Sequence, residues 1–343
     1  MRLIGHWAGI AAIAIAAAAP GCEGRGGGRG PSIGRPNVLL VTLDTTRRDR
    51  LGAYGCDLGL TPNLDDLAAA GATFEDARTQ VPITLPAHAT IMTGLPVLDH
   101  GVRENGAMAL AGSATTLAEA LGGEGYGTAA FVSSFVLDDR FGLAQGFETY
   151  DDDMGSPSRR PRRWQGHQVG GWERRADAVT DAAIGWIEDR AREDGGDPFF
   201  AWVHYFDPHK PWSPPALWSA TTRHPYDGEV AFMDSQVGRL LRALEETGAE
   251  EDTLVVVASD HGESLGEHRI SGHGWDIYDP AMRVVLLMRL PGVIPAGSRP
   301  GGLASLADVA ATVADLAGAK AGFPGTSLGP SMAGIPPDGP PPY

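Results

Sequence analysis

Three apolar stretches of this sequence end in residues that can bind a metal ion or transfer protons. Asp44 follows VLLVTL, Asp260 and His261 follow TLVVVAS, and His209 lies in FDPH after FFAWVHY. Carboxylate oxygens and an imidazole nitrogen form a mixed donor set that suits a divalent cation such as manganese or zinc. Taken alone, Asp44 is more typical of a turn or a cap. The prediction of a metal site therefore depends mainly on the adjacent pair Asp260 and His261.

A threonine, Thr84, lies in PITLPAHATIMTG, two places before Pro86 and four before His88. Proline is tolerated in the first turn of a helix, so a helix is expected over 86–93. Thr84 is then either an N-cap residue or a nucleophile. In the second case it lies beside an oxyanion that the N–H groups and dipole of the helix start stabilise. The spacing alone is compatible with both interpretations.

These residues need a scaffold that brings them together. Strand-length apolar runs occur at 37–43, 128–132, 199–205, 254–259 and 284–289, and helical periodicity at 62–70, 115–121, 174–192, 226–246 and 306–317. Apolar strands that alternate with helices predict an α/β fold with a mostly parallel central sheet and helices on both faces. Ligands of such sheets bind beyond the carboxyl ends of the strands, where the candidate residues lie.

The composition indicates an exported globular protein. The chain has 343 residues, 43% of them hydrophobic, which is enough for a sizeable core, and its net charge of −16 argues against nucleic-acid binding. Residues 1–22 have the layout of a signal peptide, and AAPGC, which ends at Cys22, is similar to a bacterial lipoprotein cleavage box. Plain secretion to the periplasm or medium and a membrane span over 3–19 are the alternatives.

The segments next to this leader and at the chain end are also distinctive. Residues 23–36 are rich in Gly and Arg, which predicts a flexible tether, and residues 331–343 are a Pro/Gly-rich tail. We therefore expect a cell-envelope protein that a lipid anchor attaches to the membrane, with its catalytic domain over 37–330.

Seven motifs occur in a characteristic order: NVLLVTLD, TPNLDDLA, TLPAHATIMTG, HGVRENG, FDPHKP, SDHGE and RVVLL. This order resembles the sulfatase branch of the alkaline phosphatase superfamily over residues 37–330. The resemblance implies an alkaline-phosphatase-like fold whose C-terminal subdomain is short or absent. It also implies one divalent metal ion held by Asp44, Asp260 and His261, with Thr84 completing the site as the nucleophile.

The resemblance assigns further roles to an asparagine and three histidines. Asn105 lies 21 residues after Thr84, a separation similar to that in the phosphonate monoester hydrolases and phosphodiesterases of the superfamily, which makes it a candidate oxyanion donor. His88 falls where sulfatases place an arginine that supports the nucleophile. His273 falls where they place a lysine that contacts the leaving oxygen, and His209 matches their substrate-contacting histidine.

The chain departs from authentic sulfatases at the nucleophile. Sulfatases oxidise a Cys or Ser to formylglycine, whereas this chain has Thr84, which cannot become formylglycine. A threonine ester must be attacked a second time at sulfur or phosphorus, which favours phosphoesters. Thr45 stands where many sulfatases have another metal-binding aspartate, and this disfavours a carboxylate-rich calcium cage. Manganese, zinc and calcium all stay candidates.

Other polar residues have structural interpretations. The Lys-x-His stretch of sulfatases is replaced by VSSFVLDD, in which Ser133 and Ser134 either contact substrate or line a strand end. His204 alternates along a buried strand, which predicts a core residue with satisfied hydrogen bonds. A second metal site that includes Asp207 is disfavoured because the Asp-x-His spacing differs from that of two-metal relatives.

The expected function is metal-dependent hydrolysis of an anionic ester, either a phosphate or phosphonate (di)ester or a sulfate ester. The missing Arg and Lys-x-His elements motivate one alternative, a catalytically silent envelope protein that binds anions, although the retained metal ligands argue against it. The other alternative is a transferase that moves a phospho-headgroup to an alcohol. Such transferases commonly have several membrane spans, whereas this chain has at most one apolar segment.

Overall fold

The computed structural model describes residues 34–155, 173–193 and 196–334, and the backbone of 162–164 and 167–169. The predicted signal peptide, nearly all of the tether and most of the tail lie outside the described residues, so they stay predictions. From Arg35 onward the chain forms one compact unit. Within the described part of the chain, every helix is too short or too polar to cross a membrane.

Strands and helices alternate along the chain as the apolar pattern predicts. The strands are β1 (Asn37–Leu43), β2 (Ala72–Thr73), β3 (Asp76–Arg78), β4 (Gly127–Phe131), β5 (Thr149–Asp151), β6 (Arg162–Trp164), β7 (His167–Val169), β8 (Phe199–Tyr205), β9 (Thr253–Ser259), β10 (Ser264–Leu265), β11 (Ser271–Gly272), β12 (Leu286–Arg289) and β13 (Leu303–Ser305). The α-helices are α1 (Pro62–Ala69), α2 (Thr84–Thr93), α3 (Val97–His100), α4 (Leu117–Gly123), α5 (Ala176–Arg192), α6 (Ala216–Thr221), α7 (Pro225–Glu246), α8 (Asp279–Met282), α9 (Asp308–Leu316) and α10 (Gly329–Met332). Short 3-10 helices lie at Arg48–Arg50, Gly52–Tyr54, Phe135–Leu137, Asp139–Phe141, Glu250–Asp252 and Glu267–Arg269.

The central sheet has seven strands in the order β2-β12-β9-β1-β8-β4-β5. The five strands from β9 to β5 run parallel, and β12 is antiparallel to both of its neighbours. The mostly parallel sheet is therefore confirmed. β2 and β5 escaped the sequence pattern because two or three residues are too few to show an apolar period.

Both faces of this sheet are covered, because successive side chains of a strand point to opposite faces. In β1, Val38 and Leu40 belong to an apolar cluster with residues of α2, α4 and α9, whereas Leu39 and Val41 belong to a cluster with α1, α5 and α7. Burial on both sides explains why the strands read as continuous apolar runs. The prediction of helices on both faces is confirmed.

Capping residues set the helix boundaries more tightly than periodicity does. The helix predicted at 115–121 begins at Leu117, because Thr116 is its N-cap and forms a reciprocal capping box with Glu119. Thr116 therefore belongs to the turn before the helix.

Candidate active site

The carboxyl ends of β1 and β9 bring the predicted metal ligands together. The parallel register pairs Leu43 with Ser259, so Asp44 and Asp260, the residues that follow, leave the sheet side by side. One ligand atom from each of Asp44, Asp260 and His261 lies within 4.8 Å of the others, and all three residues are fully buried. The prediction that these residues meet at one edge of the sheet agrees with this geometry.

Several buried oxygens of this cluster have no hydrogen-bond partner among the described residues. They are both carboxylate oxygens of Asp44, Oδ2 of Asp260 and the hydroxyl of Thr45. The other Asp260 oxygen accepts N–H bonds from Thr45 at 3.2 Å and from His261 at 2.7 Å. Burying an unpaired carboxylate is costly, and hard oxygen ligands suit a divalent cation. These residues therefore fit one metal ion.

The two carboxylates also shift each other's ionisation. Burial opposes ionisation of Asp44, but the neighbouring imidazoles, His204 first and then His209 and His261, outweigh it and hold the pKa of Asp44 below its ordinary value. Burial and the charge of Asp44 raise the pKa of Asp260 well above its ordinary value. Without a cation between them, each carboxylate thus opposes the ionisation of the other.

The hydrogen bonds of His261 define which of its nitrogens is free. Its Nδ1 lies 2.9 Å from the Gly262 carbonyl oxygen, which can only accept, so Nδ1 carries the proton. The unprotonated Nε2 lies 3.4 Å from Asp260 Oδ2 and 3.5 Å from the Thr84 hydroxyl. Burial and the charge of His273 lower the pKa of His261 to about 3. The ring is therefore neutral, the form that binds a metal ion or accepts a proton.

Thr84 is the first residue of α2 and is buried, and Ile83 is the N-cap. The helix begins two residues earlier than predicted, and no side chain at the N-cap position bonds its first turn. The capping interpretation of Thr84 is therefore wrong, because Thr84 already lies inside the helix. Its hydroxyl instead contacts His261 in the metal-ligand cluster.

Asn105 lies against the start of the same helix. Its side-chain oxygen accepts the Leu85 N–H at 2.9 Å, so it satisfies one of the first-turn donors from outside the helix. The carbonyl oxygen of Asn105 is thereby used, and its amide NH₂ is left as a donor next to Thr84. This placement is compatible with the predicted contact to a transferred group.

His88 contacts the backbone of Thr84 and not its hydroxyl. Its Nδ1 donates to the Thr84 carbonyl oxygen at 2.8 Å, and its Nε2 accepts from the Thr42 hydroxyl at 3.0 Å. Thr42 in turn accepts the indole N–H of Trp202 at 2.9 Å. Burial and the charge of nearby His204 lower the pKa of His88 to about 3, so the ring is neutral. His88 is therefore a positioning residue for the helix start.

His273 and His209 lie next to this cluster. The ring centroid of His273 is 4.5 Å from that of His261 and 5.1 Å from that of His209. Glu263, a fully buried residue of the SDHGE motif that the sequence predicts to support the surroundings of the metal, places a carboxylate oxygen 3.5 Å from His273 Nδ1. Burial opposes protonation of His273, but the contact with Glu263 and the charge of Asp44 raise its pKa.

His204 lies next to the candidate metal ligands, where the sequence interpretation did not place it. It is fully buried, as predicted, and its Nδ1 lies 3.1 Å from the Ser133 hydroxyl. Its Nε2, however, has no hydrogen-bond partner among the described residues and lies 3.5 Å from Asp44 Oδ2. The prediction of a fully satisfied core histidine was therefore wrong. The strand order decides this contact, because β8 pairs His204 with Thr42, two residues before Asp44.

The comparisons with known proteins agree with this fold. The sulfatase family model matches residues 36–319. The uncharacterised sulfatase YidJ of Escherichia coli (strain K12) is 26% identical over 75% of this chain and 63% of its own length. The arylsulfatase of Clostridium perfringens is 24% identical over 77% of this chain and 70% of its own.

The chain is also similar to a solved structure of a phosphonate monoester hydrolase. The phosphonate monoester hydrolase of Agrobacterium radiobacter has 25% identity and a TM-score of 0.73, over 89% of this chain and 78% of its own. This chain spans less than two thirds of the length of YidJ. Since the family match covers most of the chain and the folds agree, this protein belongs to the sulfatase family.

Proposed function

We propose that this protein is a metal-dependent ester hydrolase that uses Thr84 as its nucleophile, with phosphate and phosphonate esters as preferred substrates and sulfate esters as weaker ones. The observation that carries the proposal is the buried Thr84 hydroxyl, 3.5 Å from the unprotonated Nε2 of His261 at the start of α2. A hydroxyl there serves no capping purpose, and it adjoins buried oxygens without partners.

Asp44, Asp260 and His261, with Thr84, would hold one divalent ion, either manganese, zinc or calcium. The unpartnered carboxylate oxygens of Asp44 and Asp260 support this assignment. When bound, such an ion lowers the pKa of a coordinated hydroxyl and neutralises the carboxylates.

The surrounding residues act on the anionic group of the substrate. The dipole at the start of α2 and the NH₂ of Asn105 stabilise its negative charge. His88 holds the helix start through its bond to the Thr84 carbonyl oxygen. His273, whose pKa is raised, carries a proton for the leaving oxygen. His209 contacts the substrate beside it.

The choice of phosphoesters follows from the nucleophile. Formylglycine hydrate expels sulfate from a geminal hydroxyl, whereas threonine has a single hydroxyl. The alcohol leaves when Thr84 attacks, and water must then displace Thr84 by a second in-line attack. A phosphorylated threonine fits such a second in-line attack well. The similarity to a phosphonate monoester hydrolase supports this preference, and the sulfatase relatives keep sulfate esters in the set to be assayed.

Export to the cell envelope is part of the same proposal. The leader over residues 1–22 and the cleavage box at Cys22 support a lipid anchor to the membrane, with periplasmic or secreted protein as the alternative. Replacing Cys22 by Ser and following the protein between membrane and soluble fractions distinguishes these locations.

The test of the chemistry is a comparison of Thr84→Ala with wild type on aryl phosphodiesters, phosphomonoesters and sulfates. Manganese, zinc and calcium are supplied in turn after chelation. We expect metal-dependent turnover that is fastest on a phosphoester. Thr84→Ala should lower kcat/KM by roughly 10³-fold or more, as loss of a nucleophile does.

Thr93→Ala is the matched control, because Thr93 is a buried threonine at the other end of the same helix and its hydroxyl bonds the Ala89 carbonyl. It should keep kcat/KM within about threefold of wild type. Thr84→Ala protein that retains the wild-type rate would refute the nucleophile assignment. Stoichiometric metal binding with no turnover of any ester would favour the silent anion-binding alternative.

A further inference from the structure

A cavity of about 290 Å³ opens beside the candidate active site. His209 lines it, and the ring of Phe206 stacks on His209 at a centroid distance of 4.2 Å. The other side of His209 faces His273, 5.1 Å away between ring centroids. The cavity is thus one side chain away from the residue that adjoins the leaving oxygen. Its size is at the lower end for a ligand pocket and suits part of a small substrate.

Three acidic residues line this cavity, Glu173, Asp207 and Glu229, and we name it the carboxylate cavity after Asp207 and Glu229. Oδ2 of Asp207 is buried and has no hydrogen-bond partner among the described residues. Glu229 is 5% exposed, and one of its oxygens accepts the Ser213 N–H at 2.6 Å. Buried carboxylate oxygens without partners are rare in folded proteins, and each calls for a physical explanation.

The arginines that line the same cavity are already paired with acids outside its lining. Arg174 forms an ion pair with Asp151 at 2.9 Å. The Arg175 guanidinium donates from Nε to Asp177 at 3.1 Å and pairs with the same carboxylate through a second nitrogen. The Arg175 charge also acts on Asp207 and Glu229, but burial outweighs it, since the pKa of both acids is raised. The carboxylates of Asp207 and Glu229 are therefore what the cavity offers to a cation.

The pKa values of Asp207 and Glu229 agree with a cavity that binds a cation. Burial, followed by the charge of Glu229, raises the pKa of Asp207 well above its ordinary value. Burial likewise raises the pKa of Glu229 to about 7, and the neighbouring Glu173 adds to the rise. Both residues are therefore costly to ionise in an empty cavity. A cation that enters the cavity removes that cost by pairing with them.

We infer that the carboxylate cavity binds a protonated amine on the alcohol portion of the ester substrate, so that the natural substrates are esters of amino alcohols or amino sugars. The inference rests on the proposed function, because it places the alcohol portion next to His273 and His209. An ammonium group supplies up to three N–H donors, which suits the free Asp207 oxygen and the Glu229 carboxylate.

The test measures binding and does not require turnover. Calorimetry on full-length Thr84→Ala protein with manganese compares 2-aminoethyl phosphate with propyl phosphate, in which a methyl group replaces the ammonium. We expect the amine ester to bind at least about tenfold more tightly. Asp207→Asn and Glu229→Gln, each added to this background, should reduce the ratio of the two affinities to about one to three.

The choice of variants keeps the result interpretable. Asparagine and glutamine retain an oxygen that can accept the backbone N–H bonds of the acids they replace, and thermal melting checks that each variant folds. If Asp207→Asn does not fold, Glu229→Gln carries the test alone. Asp189→Asn is the control for net charge, because Asp189 is an exposed residue of α5 whose carboxylate pairs with Arg192. It should leave the affinity ratio unchanged.

Equal affinity for the two esters overturns the inference, and so does tighter binding of propyl phosphate. A tenfold ratio that persists in both acid-to-amide variants overturns it as well. Turnover by the wild-type protein, which retains Thr84, is measured separately. Equal kcat/KM for the two esters refutes the amine site and leaves the proposed hydrolase standing. Absence of any turnover refutes the hydrolase, while the binding ratio still reports on the cavity.

Discussion

Removing the proposed metal ion is expected to destabilise the protein, and more so at high pH. Asp44 and Asp260 are fully buried, and their ligand atoms lie within 4.8 Å of each other. Two unit charges at this separation repel by about 3 kcal/mol at an effective dielectric constant near 20. With roughly 300 ordered residues the unfolding entropy is about 0.6 kcal/mol/K, so this repulsion corresponds to about 5 °C in Tm.

The sign of the pH dependence follows from the pKa of Asp260, which is raised well above its ordinary value. Below the pKa of an ordinary aspartate, the metal-free protein keeps Asp260 protonated and does not experience the repulsion. As the pH rises through the raised pKa, the carboxylate ionises and this stability is lost. Chelation should therefore lower Tm more at about pH 8 than at about pH 5.

Asp260→Asn isolates the charge in this experiment. The asparagine oxygen can still accept the N–H bonds from Thr45 and His261 that the aspartate accepts. The metal-free variant should melt above metal-free wild type at about pH 8 and should respond little to added metal. Asp189→Asn, on the exposed side of α5, is the control and should behave as wild type. The reasoning fails if chelated wild type melts at the same temperature at both pH values.

Three further predictions test individual contacts. Thr42→Val should lower the free energy of unfolding by about 2–4 kcal/mol, because it leaves the buried Trp202 N–H and His88 Nε2 unpaired. Denaturant titration measures this change, and an unchanged midpoint would contradict the hydrogen bonds of the Thr42 hydroxyl. Asn105→Ala should lower kcat roughly 10²-fold in steady-state assays and destabilise the protein by about 1 kcal/mol, and a loss in KM alone would argue against transition-state contact. Because the pKa of Glu229 is raised to about 7, the stability of wild type relative to Glu229→Gln should fall as the pH rises from 4.5 to about 7; parallel pH profiles of the two proteins would refute this.

Much of the fold could be read from the sequence because its signals are local. The apolar runs at 37–43 and 199–205 coincide with β1 and β8, and the other three predicted strands differ by one or two residues at their ends. A buried parallel strand shows itself as an uninterrupted apolar run whatever lies beside it. The candidate metal ligands could be selected for the same reason, since Asp44 and Asp260 directly follow such runs.

The contacts between side chains from distant parts of the chain were decided by the tertiary structure alone. The sequence does not reveal that Asn105 accepts the Leu85 N–H, that His204 faces Asp44, or that Asp207 and Glu229 line one cavity. Each depends on strand order and on side-chain direction, which no short stretch encodes. The sequence by itself therefore determined the class of fold and the ligand types at the strand ends. Packing decided which buried polar atoms are left without partners among the described residues, and the proposed metal and substrate sites rest on those atoms.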